Sequence, residues 1–237
     1  MKRFVVFAAV LIAAAGFAYA QEVGASDPSM SSLAGNQALA EVSVERFELE
    51  GSWYSTMSRD QGYTTARLFQ GGPDARQPIP GEAGMDIPDD YVLGVRVDFL
   101  RRGYNSFTVR AVRPIHVTGI TRSVSVWVAG RNLNHELRLL VRDMNGRQHS
   151  VHMGYLNFLG WKQLTAVIPH QPMDGRTGIV QWSHRPFQRE GLEIVGFLIN
   201  TDPMEAYGSY YIYFDDMRAI TDLASLVRDP DDMADGW

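Results

Sequence analysis

The chain contains no cysteine. That absence excludes a disulfide framework, a thiol nucleophile and the lipidated cysteine of an exported lipoprotein. Stability must come from a packed core, and the chain is long enough to bury one. Lysine is almost missing too. Lys2 and Lys162 are the only two, so nearly all the positive charge is arginine, whose planar guanidinium suits bidentate pairing with carboxylates. The one long apolar run, Phe4 to Phe17, is shorter than the roughly 20 residues of a spanning helix. The G-x-S-x-G elbow, the phosphate-cradling P-loop and the G-x-G-x-x-G fingerprint are all absent. No enzymatic activity and no required cofactor are expected.

What is present begins with Lys2-Arg3 ahead of that apolar run, which closes on Ala18-Tyr19-Ala20. This is the pattern of a secretory signal peptide with an A-x-A cleavage site, so residues 1–20 are predicted to be removed and the exported, soluble chain to begin at Gln21. Losing Lys2 and Arg3 leaves 20 Lys and Arg against 27 Asp and Glu, a balance of −7. Such a surface does not suit nucleic acid, whose phosphates demand a basic footprint. Residues 21–41 are rich in Ser, Gly, Ala and Asn and read as a flexible arm. Residues 224–237 form an acidic tail ending in DPDDMADGW, which is either solvated chain or a docking peptide anchored by Trp237.

Between these ends, residues 42–223 carry short runs of period-2 alternation separated by turn signals. Strands are predicted over Val44–Leu49, Val92–Phe99, Ser106–Val112, Ser123–Ala129, Glu136–Arg142, Trp161–Ile168, Leu192–Asn200 and Ser209–Ile220. Val124, Val126 and Val128 share one face, and Leu137, Leu139 and Val141 share another while Arg138 and Arg142 point away. Leu192–Ile199 is apolar on both parities and should be central in its sheet. Many short strands and no long amphipathic helix predict an all-β fold, two packed antiparallel sheets in a jelly-roll β-sandwich. The Gly- and Pro-rich stretch from Gln70 to Asp90 is too long for an ordinary hairpin turn, and loops of that size are functional or disordered.

Adjacent Asp215 and Asp216 invite a catalytic reading, but neighbours on a strand project to opposite sheet faces and do not converge on one bond. They read instead as a strand-end turn in which one carboxylate either caps backbone donors or pairs with nearby Arg218. His149 and His152, three apart, oppose each other on a strand, which argues against a zinc pair. His116, His135, His170 and His184 are isolated. Trp127 is placed on an outer sheet face by its parity against Val126 and Val128, while Trp161 and Trp182 adjoin strand starts or loops. Such aromatics either fill the rim and core of a sandwich or, exposed together, mark a partner surface.

Trp127-Val128-Ala129-Gly130, the stretch Gly154-Tyr155-Leu156-Asn157-Phe158-Leu159-Gly160-Trp161-Lys162, and Tyr213-Phe214-Asp215-Asp216 followed by Thr221-Asp222 carry a resemblance. Together, over about Val42 to Asp222, the chain resembles the FlaA-type flagellar filament outer-layer (sheath) proteins of spirochaetes. The resemblance implies a periplasmic, non-catalytic subunit that coats a flagellin core filament, with other sheath subunits as partners and self-association or co-assembly. A broader likeness links Phe47-Glu48, Gly51 and Trp53, together with the late Phe214-Asp215-Asp216, to the first and last strands of carbohydrate-binding jelly rolls. It implies a periplasmic carbohydrate-binding module as the alternative function. It also implies a structural calcium held by Glu48 with Asp215 or Asp216, oxygen ligands suited to a hard cation.

Overall fold

The computed structural model describes residues 39–169, 178–182 and 190–223. The predicted signal peptide, most of the arm, the acidic tail with Trp237, and His170 and His184 lie outside the described residues. The described chain is all β. Its strands are β1 (Leu39–Glu45), β2 (Trp53–Met57), β3 (Gly62–Gln70), β4 (Tyr91–Phe99), β5 (Ser106–Thr118), β6 (Ile120–Arg131), β7 (Glu136–Arg142), β8 (Gln148–Tyr155), β9 (Leu159–Val167), β10 (Gly191–Asn200) and β11 (Gly208–Asp222). The only helical element among the described residues is a 3-10 turn, Pro80–Glu82.

The strands form two antiparallel sheets. Sheet A runs β3-β4-β11-β6-β9, with β1 also on β11, and sheet B runs β2-β5-β10-β7-β8. Among the described strands only β3-β4 and β7-β8 pair sequence neighbours within one sheet, and every other connection crosses between sheets, as a jelly-roll β-sandwich requires. The core is the layer between them. Val124, Val126 and Val128 face it from β6, Leu137, Leu139 and Val141 from β7, and all six are fully buried. Central β10 is covered on both faces, as its two apolar parities predict.

Several boundaries differ from the sequence-based expectation. Residues 39–41 belong to β1, paired with the end of β11, so the arm is shorter than predicted. The strand expected over Val44–Leu49 stops at Glu45. Phe47 takes a positive φ of 61° and turns its ring into the core, leaving none of its surface exposed. Three strands escaped prediction, β2, β3 and β8, because their inward residues include small or polar ones such as Ser55, Thr64, Ala66 and His149, which blur the alternation.

The two aspartates are not a strand-end turn. They lie in mid-β11, where the pairing register slips between Asp215 and Arg218 and Asp216 adopts a positive φ of 45°. This β-bulge reverses parity: Tyr210, Ile212 and Phe214 face the core before it, and Met217 and Ala219 after it. It also marks the point where β4, paired to β11 as far as Phe214, gives way to β1, paired from Met217 onward. Asp215 and Asp216 are both buried, although neither enters the apolar core.

Candidate functional site

What covers the aspartates is the 71–90 segment between β3 and β4. It folds onto the outer face of sheet A and is held there by ion pairs and hydrogen bonds between side chains and backbone. Arg76 reaches Asp215 Oδ2 at 2.5 Å and Asp89 Oδ1 at 2.8 Å, and it also donates to the Asp89 carbonyl. Arg218 donates from Nε to Asp216 Oδ1 at 2.8 Å, lies 3.3 Å from Glu41 Oε1 and donates to the Gln77 carbonyl. Arg46 pairs with Glu82 and approaches Asp89 at 3.6 Å. The predicted Asp–Arg218 pair is therefore present, through Asp216. The loop adds Arg76, which bridges Asp215 and Asp89, and the Gln77 carbonyl, which accepts from Arg218; nothing in the sequence pointed to these residues.

Three guanidinium groups thus face five carboxylates, Glu41, Glu82, Asp89, Asp215 and Asp216. Burial pushes the Asp215 carboxyl up to about 7, against the downward pull of Arg76 and with Asp89 adding to the rise. Burial likewise raises Asp89 above the usual carboxylate range.

The residues expected to hold calcium are placed differently from a chelating set. Glu48 Oε1 accepts from the Tyr91 amide at 2.9 Å, while Asp215 and Asp216 each face an arginine. Among the described residues no three His, Asp or Glu side chains are grouped to hold a metal ion. Arginine supplies positive charge where the ion was expected. Thermal melts should therefore coincide in calcium and in chelator; a calcium-dependent rise in Tm would instead restore ligation by Glu48, Asp215 and Asp216.

The four described histidines stand apart from one another. His149 Nε2 sits 2.9 Å from Asp143 Oδ2, and His152 Nδ1 sits 2.8 Å from Glu136 Oε1, so each serves a different carboxylate, as opposite faces of a strand require. Glu136 is held down to about 2. Its burial opposes this, but hydrogen bonds from Asn200, His152 and Arg138 outweigh it. His135 is buried in the aromatic cluster with Tyr210 and Phe99. Burial lowers its pKa, and Nδ1 accepts from the Asp202 amide at 3.1 Å. His116 lines a shallow hollow with Arg142 and Glu193.

Beside the fastened loop, the outer face of sheet A forms a groove. Strand register sets Arg67, Gly94, Tyr213, Ala129 and Trp161 in one row across five strands. Gly94 is its floor, since a Cβ there would meet the Phe69 ring at 2.5 Å and the Tyr213 ring at 2.9 Å. Those two rings meet edge to face with centroids 5.7 Å apart. Arg131 lies over Tyr213 at 5.6 Å, and Arg96 over Tyr211 at 5.8 Å. Two hollows of about 330 and 430 Å³ share Phe69 and Tyr213. Trp161 thus belongs to an exposed aromatic surface, and Trp127 faces outward opposite Asp215, as its parity predicts. Trp182 is 37% exposed and outside the groove. Alternation on β3 was too weak in sequence to reveal Arg67 and Phe69.

The chain is 35% identical over 202 residues to a flagellar filament outer layer-like protein of Brachyspira hyodysenteriae, covering 85% of this chain and 88% of that one. It is 35% identical over 114 residues to the flagellar filament outer layer protein of Treponema pallidum, covering 47% of this chain and 33% of that protein. Among solved structures, the family 11 carbohydrate-binding module of the Clostridium thermocellum cellulase Lic26A-Cel5E aligns at a TM-score of 0.43 and 10% identity, covering 78% of this chain and 96% of the module. Residues 18–229 match the family described as flagellar filament outer layer protein Flaa. The chain belongs to the FlaA family of flagellar filament outer layer proteins.

Proposed function

We propose that this chain is a structural subunit of the outer layer of periplasmic flagellar filaments. It coats a flagellin core, contributes to filament shape, stiffness and motility, and carries out no turnover of its own. The observation that carries this reading is family membership along residues 18–229, nearly the whole chain. The architecture supports it. A coat subunit must touch both the core filament and its neighbours, and this sandwich presents separate surfaces for doing so: the ion-fastened loop, the groove beside it, and the outer face of sheet B with Arg138 and Arg142. Repeated heterologous contacts of that kind build open helical arrays. Part of the contact energy is carried by charge, so release from filaments should increase with salt.

The test is a deletion strain, with isolated filaments imaged by electron microscopy and the protein located by labelling. Thinner filaments of altered curvature, together with label along wild-type filaments, are expected. Unchanged thickness, curvature and composition, combined with specific binding of a glycan by the purified protein, would replace this reading with a periplasmic carbohydrate-binding module.

A further inference from the structure

We infer that the groove on the outer face of sheet A receives the acidic stretch Asp229–Trp237 of a second copy of this chain, linking subunits head to tail. The inference rests on the outer-layer reading for its biological setting. Its physical basis is charge. Arg67, Arg96 and Arg131 line the two hollows, and among the described residues no carboxylate lines either, in a chain whose net charge is −5. Arg96 is paired with Asp98, but among the described residues neither Arg67 nor Arg131 is paired with a carboxylate. The groove therefore holds uncompensated positive charge, and it is apolar between the charges. Phe69 is 46% exposed and Trp161 stands at the far side.

A ligand for such a groove must be acidic and must also carry an apolar or aromatic group. DPDDMADGW fits both demands, with four aspartates, no basic residue, one methionine and one tryptophan. The spacing fits as well. Arg67 on β3 and Arg131 on β6 are three strand steps apart, on the order of 14 Å at about 4.8 Å per step. An extended peptide covers that distance in about four residues at roughly 3.4 Å each, the separation of Asp231 from Asp235. The fold favours a neighbour's stretch over the chain's own. The described chain leaves β11 at Leu223, beyond Arg218, and the 71–90 segment lies over Asp215 to Arg218 between that exit and the groove. A stretch from another copy reaches the groove without crossing that segment.

The experiment titrates a synthetic Asp229–Trp237 peptide into the full mature chain by calorimetry and follows self-association by sedimentation. Saturable binding is expected, weakened at least about tenfold by the Arg67→Glu/Arg131→Glu pair. A peptide with its four aspartates changed to asparagine should lose affinity to a similar degree, and deletion of residues 229–237 should reduce self-association. Both arginine positions project from the outer face, and unchanged far-UV circular dichroism of the variant confirms that the fold is retained. No binding, or equal binding by wild type and the reversed-charge pair, overturns the inference. A monomeric full chain whose truncation tightens peptide binding assigns the groove to the chain's own tail and overturns it too. So does arginine-dependent binding of an oligogalacturonate probe without any binding of the peptide. If the protein coats filaments and the peptide still fails to bind, the groove inference alone is lost. If the peptide binds and the protein is absent from filaments, the outer-layer reading fails and the contact stands.

Discussion

Replacing Arg218 by alanine is expected to destabilise the protein by about 3 kcal/mol, because it leaves the carboxylate of Asp216 buried without its counterion. Asp216 is 2% exposed, and the Arg218 side chain only 10%. The expected loss lies at the lower end of the range for broken buried pairs, since a hollow of about 170 Å³ beside Arg46, Arg76 and Asp89 opens near the site. The same side chain joins Glu41 of β1, Asp216 of β11 and the Gln77 carbonyl of the loop, so its removal also releases one hold on residues 71–90. Denaturant unfolding measures the first effect and limited proteolysis within 71–90 the second. A loss below about 1 kcal/mol with the loop still protected would show that the pair contributes no more than an exposed one.

The neighbouring carboxylate adds a dependence on pH. Asp215 has its folded pKa raised by burial to about 7, above its ordinary value of 3.8, so the folded state holds its proton longer than the unfolded chain does. The stability linked to that proton is fully present below about pH 4 and is lost as the pH rises through 7. Asp215→Asn imitates the protonated form, and its stability relative to wild type should therefore improve steadily from pH 4 to pH 8. A penalty that grows over the same range would mean that the ion pair with Arg76 outweighs burial.

Phe197→Ala is expected to be at least as damaging, at about 4 kcal/mol, by loss of transfer energy and by the cavity it leaves. Phe197 has no exposed surface. Its ring stacks on Phe214 with centroids 4.7 Å apart and on Trp53 at 5.8 Å, so it ties β10 and β2 of sheet B to β11 of sheet A. No cysteine exists to cross-link the sheets if that contact weakens. For a chain of this size the change corresponds to a fall in Tm of about 8–16 °C. Calorimetry would register it, and near-UV circular dichroism would report the loosened aromatic packing. A fall under about 3 °C would show that the surrounding rings close over the gap.

Local sequence was enough for the all-β class, the central place of Leu192–Ile199 and the inward faces of β6 and β7. Period-2 alternation is a property of neighbouring residues, and it needs no partner strand to be visible. It failed at β2, β3 and β8, whose inward positions include serine, threonine, alanine and histidine, too little apolar contrast to mark a face. The family resemblance was legible in Gly154–Lys162 and in Tyr213–Asp216, stretches read as strings of residues. The sites were legible only in fragments. Asp215, Asp216 and Arg218 stood out, but Arg76 lies 139 positions from Asp215, and no local pattern announces that a Gly- and Pro-rich loop will fold over them. The row from Arg67 to Trp161 exists only through the register of five strands drawn from distant parts of the chain. Alternation decides which way a side chain points. What covers it, and therefore whether a charge is hydrated or buried, depends on which strands pair and which loop returns, and that was decided by the tertiary structure.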